Sequence, residues 1–224
     1  MISEDRFLQI AHWSRNLEDA SFDHARKGIV ERSYAKGSYV CHKGDYFEPW
    51  TGTVSGLLKI SATSLSGKSV TLAGLRSGVW FGEGTVLKNE PRQYDLMVLR
   101  DSQLALMNRA TFFWLFENSV AFNRLLVHQL NERLGQFIAF VEYDRMLDAT
   151  ARLARNIAWL FNPAFYPESE LTLEITQEEL GLLSGLSRQA ANKALRQLEE
   201  RGLLSVEHNM ISVRDLARLR NFGE

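Results

Sequence analysis

The stretch ITQEELGLLSGLSRQAANKALRQLEERGLLSVEHNMISV, residues 175–213, decides the fold of the C-terminal part of the chain. Thr176 and Glu179 have the spacing of a capping box, which begins a helix. Gly185 permits the left-handed turn that ends this helix, Ser187 can cap the next one, and Gly202 can end it. Two short helices joined by a tight glycine turn predict a helix-turn-helix. The runs LLSV and ISV on either side of EHNM predict a small hairpin, so the whole stretch is typical of a winged helix.

The second helix of this stretch separates its side chains by chemistry. At about 100° per residue, its apolar residues share one face: Ala190, Ala191, Ala194, Leu195 and Leu198. The opposite face carries hydrogen-bond donors and no acid: Arg188, Gln189, Asn192, Lys193 and Arg196. Guanidinium, amide and ammonium groups read base edges in the major groove and hold phosphates. This face therefore predicts binding to double-stranded DNA; the alternatives are a solvated helix and a winged helix that binds protein.

Residues 33–107 have a different pattern, in which short β-type runs alternate with glycine-marked turns. The runs are SYVCH, GLLKISAT, SVTLAGL and YDLMVL, and the glycines are Gly37, Gly44, Gly56, Gly67, Gly74, Gly78 and Gly82. Many short strands with such turns predict an antiparallel barrel or sandwich. Together with the helical C-terminal part, this predicts an α+β fold.

Residues 108–160 change to a helical period. One apolar stripe recurs at steps of three and four residues: Leu126, Leu130, Leu134, Phe137 and Val141. A long helix with such a stripe can bury it against a second copy of itself, which predicts a homodimer seam. The alternative is that the helix packs on its own barrel. The prolines of FNPAFYPESE, residues 161–170, predict the domain boundary. We therefore expect a β-rich domain at 1–109, a dimerisation helix region at 110–160 and a DNA-binding domain at 161–224.

Composition excludes several classes of protein. The net charge of −1 gives no strong overall field, so contact with nucleic acid has to come from a local basic face. Cys41 is the single cysteine, which rules out a disulfide within the chain and favours a cytoplasmic location. The longest apolar run, FFWLF at 112–116, is far too short for a membrane span. We find no metal-ligand spacing, no catalytic motif and no cofactor motif, and expect that the protein is not an enzyme.

The chain resembles the Crp/Fnr family of bacterial transcription regulators, from about residue 25 to its end. The resemblance is strong in ITQEELGLLSGLSRQAANKALRQLEERGLL and weaker in KGSYVCHKGD, LSGKSVTLAGLRSGVWFGE and the long helix. It implies a β-roll (a cyclic-nucleotide-binding-like jelly roll), a long dimerisation helix, and a C-terminal winged helix-turn-helix that binds a two-fold symmetric operator. It also implies base-reading roles for Arg188, Gln189 and Lys193, and phosphate-approaching positions for Thr176, Gln177 and Ser187. Contact with RNA polymerase is implied by the family alone.

The segment FGEGTVLKNEPRQYD, residues 81–95, resembles the family's cyclic-nucleotide site. Gly82 and Glu83 match the pair that receives the ribose hydroxyl, and Arg92 matches the arginine that receives the phosphate. Gln93 and Tyr94 stand where the family has small residues.

The long helix also departs from the pattern of cyclic-AMP sensors. Phe137 and Ile138 stand where those sensors offer hydroxyl groups to adenine, so a small-molecule effector, if there is one, is not expected to be cyclic AMP. Two interpretations stay open: Glu83 and Arg92 form a structural salt bridge, which we favour, or the β-roll binds another anionic effector.

Two other sensing devices of the family lack their residues. An N-terminal cysteine cluster for oxygen sensing is missing from the sequence. Cys41 and His42 are neighbours in a predicted strand, so their side chains point in opposite directions and do not form a haem site together.

Overall fold

The structure, a computed structural model, describes residues 1–67, 69–167 and 170–223. A short 3₁₀ helix covers His12–Asn16. The helices are α1 Glu4–Ile10, α2 Asp19–Lys27, α3 Glu83–Lys88, α4 Arg109–Asn118, α5 Val120–Met146, α6 Ala149–Trp159, α7 Gln177–Leu183, α8 Arg188–Glu200 and α9 Leu216–Arg220. The strands are β1 Ile29–Tyr34, β2 Tyr39–Cys41, β3 Trp50–Thr63, β4 Ser69–Arg76, β5 Trp80–Phe81, β6 Asp95–Met107, β7 Thr172–Glu174, β8 Leu204–Glu207 and β9 Met210–Val213.

The N-terminal sheet is antiparallel and has the order β1-β6-β3-β4, with β2 paired to β6 and β5 paired to β3. The four β-type runs of the sequence lie in β2, β3, β4 and β6, so the predicted antiparallel domain and the α+β class are confirmed. The strands β3 and β6 are long and carry register shifts. Such bulges bend a sheet and let it close into a roll.

An aromatic core fixes the N-terminal helices on the β-roll. Its rings come from α1, the 3₁₀ helix, the sheet, α4 and the start of α5: Phe7, Trp13, Trp50, Trp80, Phe112 and Phe122. Trp13 and Trp50 have ring centroids 5.2 Å apart, and Trp50 and Trp80 have theirs 4.6 Å apart. The Trp13–Trp80 and Trp50–Phe122 pairs are edge to face, with interplanar angles of 88° and 87°, an arrangement that adds attraction to the large buried area.

Helix α5 begins inside this core and leaves it. Leu126 is only 2% exposed and packs in the aromatic cluster, so its predicted place on an outward dimer face is wrong. Beyond it, the outward apolar side chains are 42–61% exposed: Val127, Leu130, Leu134, Phe137, Ile138 and Val141. The first turns of α5 thus pack on their own β-roll, while the remaining turns leave an apolar face uncovered.

The break between the long helix and the C-terminal part lies earlier than the sequence predicts. Helix α5 ends at Met146, and the Asp148 side chain accepts a hydrogen bond from Ala151 N at 2.8 Å to begin α6. Leu153 and Ile157 of α6 are buried in one cluster with Leu195 of α8. The predicted boundary at residue 161 is therefore too late, because α6 belongs to the core of the C-terminal part.

The predicted winged helix is present between β7 and α9. The Thr176 hydroxyl accepts from Glu179 N and the Glu179 carboxylate accepts from Thr176 N, which is the expected capping box. Gly185 and Gly202 have φ values of 63° and 70°, in the left-handed region that glycine tolerates. The β8–β9 hairpin forms the wing and turns at His208 and Asn209.

Two arginines of the β-roll hold this winged helix in place. Arg76 of β4 donates to Leu160 O at 2.8 Å and to Thr172 O at 3.0 Å, and its guanidinium lies 4.4 Å from the Phe161 ring centroid. Arg100 of β6 donates to both carboxylate oxygens of Glu179, each at 2.9 Å. None of the helices in the described ranges is long and apolar enough to cross a bilayer.

Candidate nucleic-acid interface and the β-roll site

Helix α8 presents its donor-bearing face to solvent. The Ser187 hydroxyl caps the helix by accepting from Ala190 N at 3.2 Å. The apolar face is buried against the rest of the winged helix: Ala191, Ala194, Leu195 and Leu198. Four of the five predicted donors are exposed and have no side-chain partner within the described ranges: Arg188, Gln189, Lys193 and Arg196. The packing of one face therefore leaves the other available to a partner outside the chain.

Asn192, the fifth donor, is committed within the motif. Its side-chain nitrogen donates to the Gln177 side-chain oxygen at 2.7 Å, and both residues are half-buried. This hydrogen bond joins the start of α7 to the middle of α8 and sets the angle between them. The structure thus places Asn192 and Gln177 in a helix-to-helix contact, beside the exposed donors rather than among them.

Acidic side chains lie at the edges of this surface. Glu200 borders the concave surface that Arg188, Lys193 and Arg196 line. Glu199 is turned to the wing, where its carboxylate accepts from Val206 N at 3.0 Å. The centre of the α8 face is therefore cationic, and its acids come only at the last turn.

In the β-roll, Arg92 is buried and its guanidinium bonds only to other parts of the chain. It is 1% exposed and donates to Phe47 O at 3.1 Å, to Pro49 O at 3.0 Å and to the Tyr94 hydroxyl at 2.9 Å. A side chain at Gly82, which has a φ of 92°, would overlap the Arg92 guanidinium. Arg92 thus fills the space that the missing side chain of Gly82 leaves open.

Glu83 pairs with a residue that the sequence did not indicate. Its carboxylate accepts from Arg133 Nε at 2.9 Å, and Arg133 Nη2 donates to Trp80 O at 2.6 Å. The side chains of Glu83 and Arg133 are 4% and 16% exposed. The expected salt bridge between Glu83 and Arg92 is therefore wrong, because a cation from α5 takes the carboxylate. This pair connects the β-roll to the long helix.

Comparison with known proteins places both regions in one family. Residues 31–119 match the cyclic nucleotide-binding domain, and residues 151–222 match the Crp-like helix-turn-helix domain. The chain belongs to the Crp/Fnr family of transcription regulators.

Several relatives of this family align over most of the chain. The Cyclic AMP receptor protein of Thermus thermophilus is 26% identical over 92% of this chain and 94% of its own length. The cAMP-activated global transcriptional regulator Vfr of Pseudomonas aeruginosa is 26% identical over 79% of this chain and 85% of its own. Among solved structures, FixK2 from Bradyrhizobium japonicum has a TM-score of 0.71 at 19% identity, covering 86% of this chain and 96% of that one. The last likeness concerns the fold alone.

The remaining positions expected at a Crp/Fnr effector site lie away from Arg92 and Glu83. Gln93 is exposed and its side-chain amide donates to Pro91 O at 3.1 Å, so it turns back on its own loop. Phe137 and Ile138 are 48% and 60% exposed on the outer face of α5. The structure therefore brings together Gly82 and Arg92, and Glu83 with Arg133, but leaves the other three predicted positions outside this cluster.

Tyr94 completes the cluster from the strand side. Burial raises the pKa of the Tyr94 hydroxyl, and the nearby Arg92 opposes this only in part. The hydroxyl is therefore neutral at physiological pH and serves Arg92 as an uncharged acceptor. Glu83 Oε2 is buried with no hydrogen-bond partner among the described residues, which leaves a single acceptor open here.

The lone cysteine has no reactive surroundings. Cys41 is 3% exposed, and burial raises the pKa of its thiol to about 11. Oxidation proceeds through the thiolate, which is scarce at this pKa. His42 points the other way, with a 59% exposed side chain and its Nδ1 3.6 Å from Asp95. Cys41 is thus buried and His42 exposed, but β2 ends at Cys41, so the expectation that both residues lie in one strand is wrong.

Sequence reasoning missed the three arginines that join parts of the molecule: Arg76, Arg100 and Arg133. Their partners lie 84, 79 and 50 positions away in the chain. A local pattern carries no signal for such pairs. Arg133 interrupts the inward face of α5 one turn after the buried Gln129, and this polar pair on an inward face was the available clue.

Proposed function

We propose that this Crp/Fnr regulator binds a two-fold symmetric DNA operator as a homodimer and reads it with α8. The observation that carries the proposal is the exposed row of Arg188, Gln189, Lys193 and Arg196, which has no partner within the described residues. Partly buried arginines elsewhere in the described residues are tied to acids, as Arg26, with a 17% exposed side chain, is to Asp23 at 2.7 Å. Unpartnered donors on an acid-free helix face suit base edges and phosphates.

The individual roles follow from position on the helix. Arg188, Gln189 and Lys193 lie on the first two turns of α8, which is the end of a recognition helix that contacts base edges. Arg196 lies one turn further, where it can meet a phosphate. Ser187 and Thr176 expose helix N-termini beside the DNA backbone, where amide groups and the helix dipole favour phosphate oxygens. Asn192 and Gln177 fix the angle between α7 and α8.

The homodimer rests on the uncovered face of α5. At about 100° per residue, the exposed side chains form one stripe: Val127, Leu130, Leu134, Phe137, Ile138 and Val141. An apolar stripe of this length is covered well by the same stripe of a second copy. A two-fold pair would place two α8 helices in successive major grooves about 34 Å apart. Of the predicted seam, Leu130, Leu134, Phe137 and Val141 remain and Leu126 does not.

Three units share the work in this proposal. The β-roll and the first turns of α5 form the regulatory unit, the outer turns of α5 form the dimer seam, and the chain from Asp148 onward forms the DNA-binding unit. Contact with RNA polymerase, which the family implies, completes the proposal for a transcription regulator.

DNA binding by α8 is tested with duplex DNA fragments. The wild-type protein selects them from the promoter DNA of its own genome. We expect the affinity of the wild-type protein to fall steeply as salt rises, since phosphate contacts release counterions. Replacing Arg188 and Lys193 together by alanine should lower affinity for the selected site by about 100-fold, at 1–3 kcal/mol for each base contact.

A matched control is Lys36→Ala, which removes one exposed charge from the β-roll. It should leave affinity within about twofold. If the double variant binds as tightly as the wild type, or if binding ignores salt, α8 meets a protein and the proposal is wrong.

A further inference from the structure

We infer that Tyr94 and Arg133 fill the β-roll's nucleotide site from within the chain, so that this regulator binds its operator without a cyclic nucleotide. The inference rests on the proposed function and concerns its regulation. The family's site needs an arginine that is free for a phosphate and a carboxylate that is free for a ribose hydroxyl. Here both groups already have partners in the chain.

Arg92 is buried and already uses three of its five N–H groups within the chain. Its Nε, Nη1 and Nη2 atoms each donate to a protein oxygen, and the residue is 1% exposed. The Tyr94 hydroxyl takes the place of a phosphate oxygen, and the two carbonyls come from the loop at residues 47 and 49. A phosphate would have to displace the Tyr94 hydroxyl or the carbonyls, each of which would then be buried without its donor.

The backbone niche at Gly82 is also occupied. A glycine with a positive φ beside a carboxylate lets a ligand come close to the main chain. In this protein the Arg92 guanidinium lies where the side chain of residue 82 would be, so the chain itself uses that niche. The close approach that a nucleotide needs is therefore taken up by an internal contact.

Glu83 has its own internal partner. Arg133 of α5 donates to Glu83 at 2.9 Å and to Trp80 O at 2.6 Å, and its guanidinium lies 5.1 Å from the Phe165 ring centroid. These contacts attach the long helix to the β-roll and to the segment that follows α6. This arginine thus connects the β-roll and the long helix without a nucleotide.

The residues present therefore do not fit a cyclic nucleotide. Glu83 Oε2 is buried without a partner among the described residues and could accept from a hydroxyl, but the guanidinium that would meet the phosphate is 1% exposed and bonded to three protein oxygens. Phe137 and Ile138, which stand where cyclic-AMP sensors have hydroxyl groups, carry no polar group and lie on the outer face of α5. Tyr94 is consequently the residue that determines specificity, because its ring and hydroxyl close the site on the phosphate side.

The test measures nucleotide binding and DNA binding separately on the full-length protein. Isothermal titration and thermal unfolding are run with millimolar cyclic AMP or cyclic GMP, and operator affinity is measured by fluorescence anisotropy with and without them. For the wild type we expect a melting temperature that changes by less than about 1 °C and an operator affinity that stays within about twofold, since a ligand that binds the folded state has to raise its stability.

Three variants separate the effects of space and of hydrogen bonding. Tyr94→Ala opens the site and frees one Arg92 donor, so its affinity for cyclic nucleotide should exceed that of the wild type by at least about tenfold. Tyr94→Phe keeps the ring in place and should remain without nucleotide binding. Tyr46→Ala removes a tyrosine that is 73% exposed in the same domain and should behave as the wild type.

Each outcome decides the inference. Nucleotide binding by the wild type, or operator binding that needs a nucleotide, overturns it and leaves the proposed function intact. A folded Tyr94→Ala protein that binds neither cyclic AMP nor cyclic GMP also overturns it. If that variant does not fold, the wild-type measurements still decide. Absence of operator binding under every condition would refute the proposed function instead, which keeps the two failures apart.

Discussion

The β-roll site and the α8 face both carry arginines that the sequence offers to a ligand, yet the structure treats them in opposite ways. Arg92 and Arg133 are covered and bonded to oxygens of the same chain. Arg188 and Arg196 are exposed, with no such bonds in the described residues. Buried polar groups that are satisfied internally contribute to the fold, whereas exposed groups left open are available to a partner. The same side-chain type thus serves stability in one region and recognition in the other.

The largest expected effect compares one arginine from each region. Arg133→Gln leaves the buried Glu83 carboxylate without its cation and should lower the free energy of unfolding by about 3 kcal/mol. Arg188→Gln should change it by less than about 0.5 kcal/mol, because the side chain is exposed and touches no partner. Urea unfolding followed by circular dichroism measures both. Arg124→Gln, an exposed position on the same helix as Arg133, is the control. If both substitutions lowered the free energy of unfolding equally, the proposed difference between the two regions would be wrong.

A second test replaces one exposed side chain of α8. Gln189→Glu replaces a mixed donor and acceptor by an acceptor, which should shift the preferred base at one position of each half-site toward cytosine by about 1–3 kcal/mol. Selection from randomised operators reads the preference of each form. Thermal unfolding is the control and should not change, since Gln189 is exposed. If both proteins select the same operator motif, Gln189 does not contact a base.

The smallest expected effect concerns Glu179, which connects the winged helix to the β-roll through Arg100. Burial raises the pKa of Glu179, but the hydrogen bonds from Arg100 and Thr176 outweigh burial and lower it below its ordinary value of 4.5. A carboxyl whose pKa is lowered on folding stabilises the protein above its ordinary pKa and loses that contribution as the pH falls. We expect Glu179→Gln to cost roughly 1 kcal/mol at neutral pH.

The pH dependence of that cost is the specific signature. The difference in unfolding free energy between the wild type and Glu179→Gln should shrink as the pH falls below 4.5, through the lowered pKa. Urea unfolding over the range from neutral to acid measures it. Glu178→Gln, its exposed neighbour, should show no such change. A difference that is constant with pH would mean that the Arg100–Glu179 ion pair does not stabilise the docked winged helix.

The winged helix could be predicted in detail because its signals are local. Caps, glycine turns and face segregation at residues 176–202 each act within a few positions, and α7, α8 and the wing appear where these signals place them. The strand β1 was missed, since IVERSY shows no regular alternation and gains its place only by pairing with β6. Its register comes from a partner more than sixty residues away, which no local pattern contains.

The errors in the sequence-based expectations share this cause. Leu126 has the spacing of the dimer stripe but meets the aromatic core, because the first turns of α5 pack on the roll. The prolines at 163 and 167 looked like a boundary, whereas the actual break is the two-residue step at Leu147 and Asp148. The chemistry of Glu83 was read correctly as a salt-bridging carboxylate, and its partner was wrong because Arg133 approaches from another element.

The bare backbone at Gly74 sets how closely the winged helix rests on strand β4. A methyl group there would lie 3.1 Å from a Leu160 side-chain carbon and 3.3 Å from one of Leu183. Those leucines stand at the end of α6 and the end of α7, so a side chain at residue 74 would require the leucine side chains to shift by a few tenths of an ångström. In the proposed symmetric dimer, the same adjustment would occur in both copies. The absence of a side chain at this strand position therefore lets α6 and α7 pack closely against the β-roll.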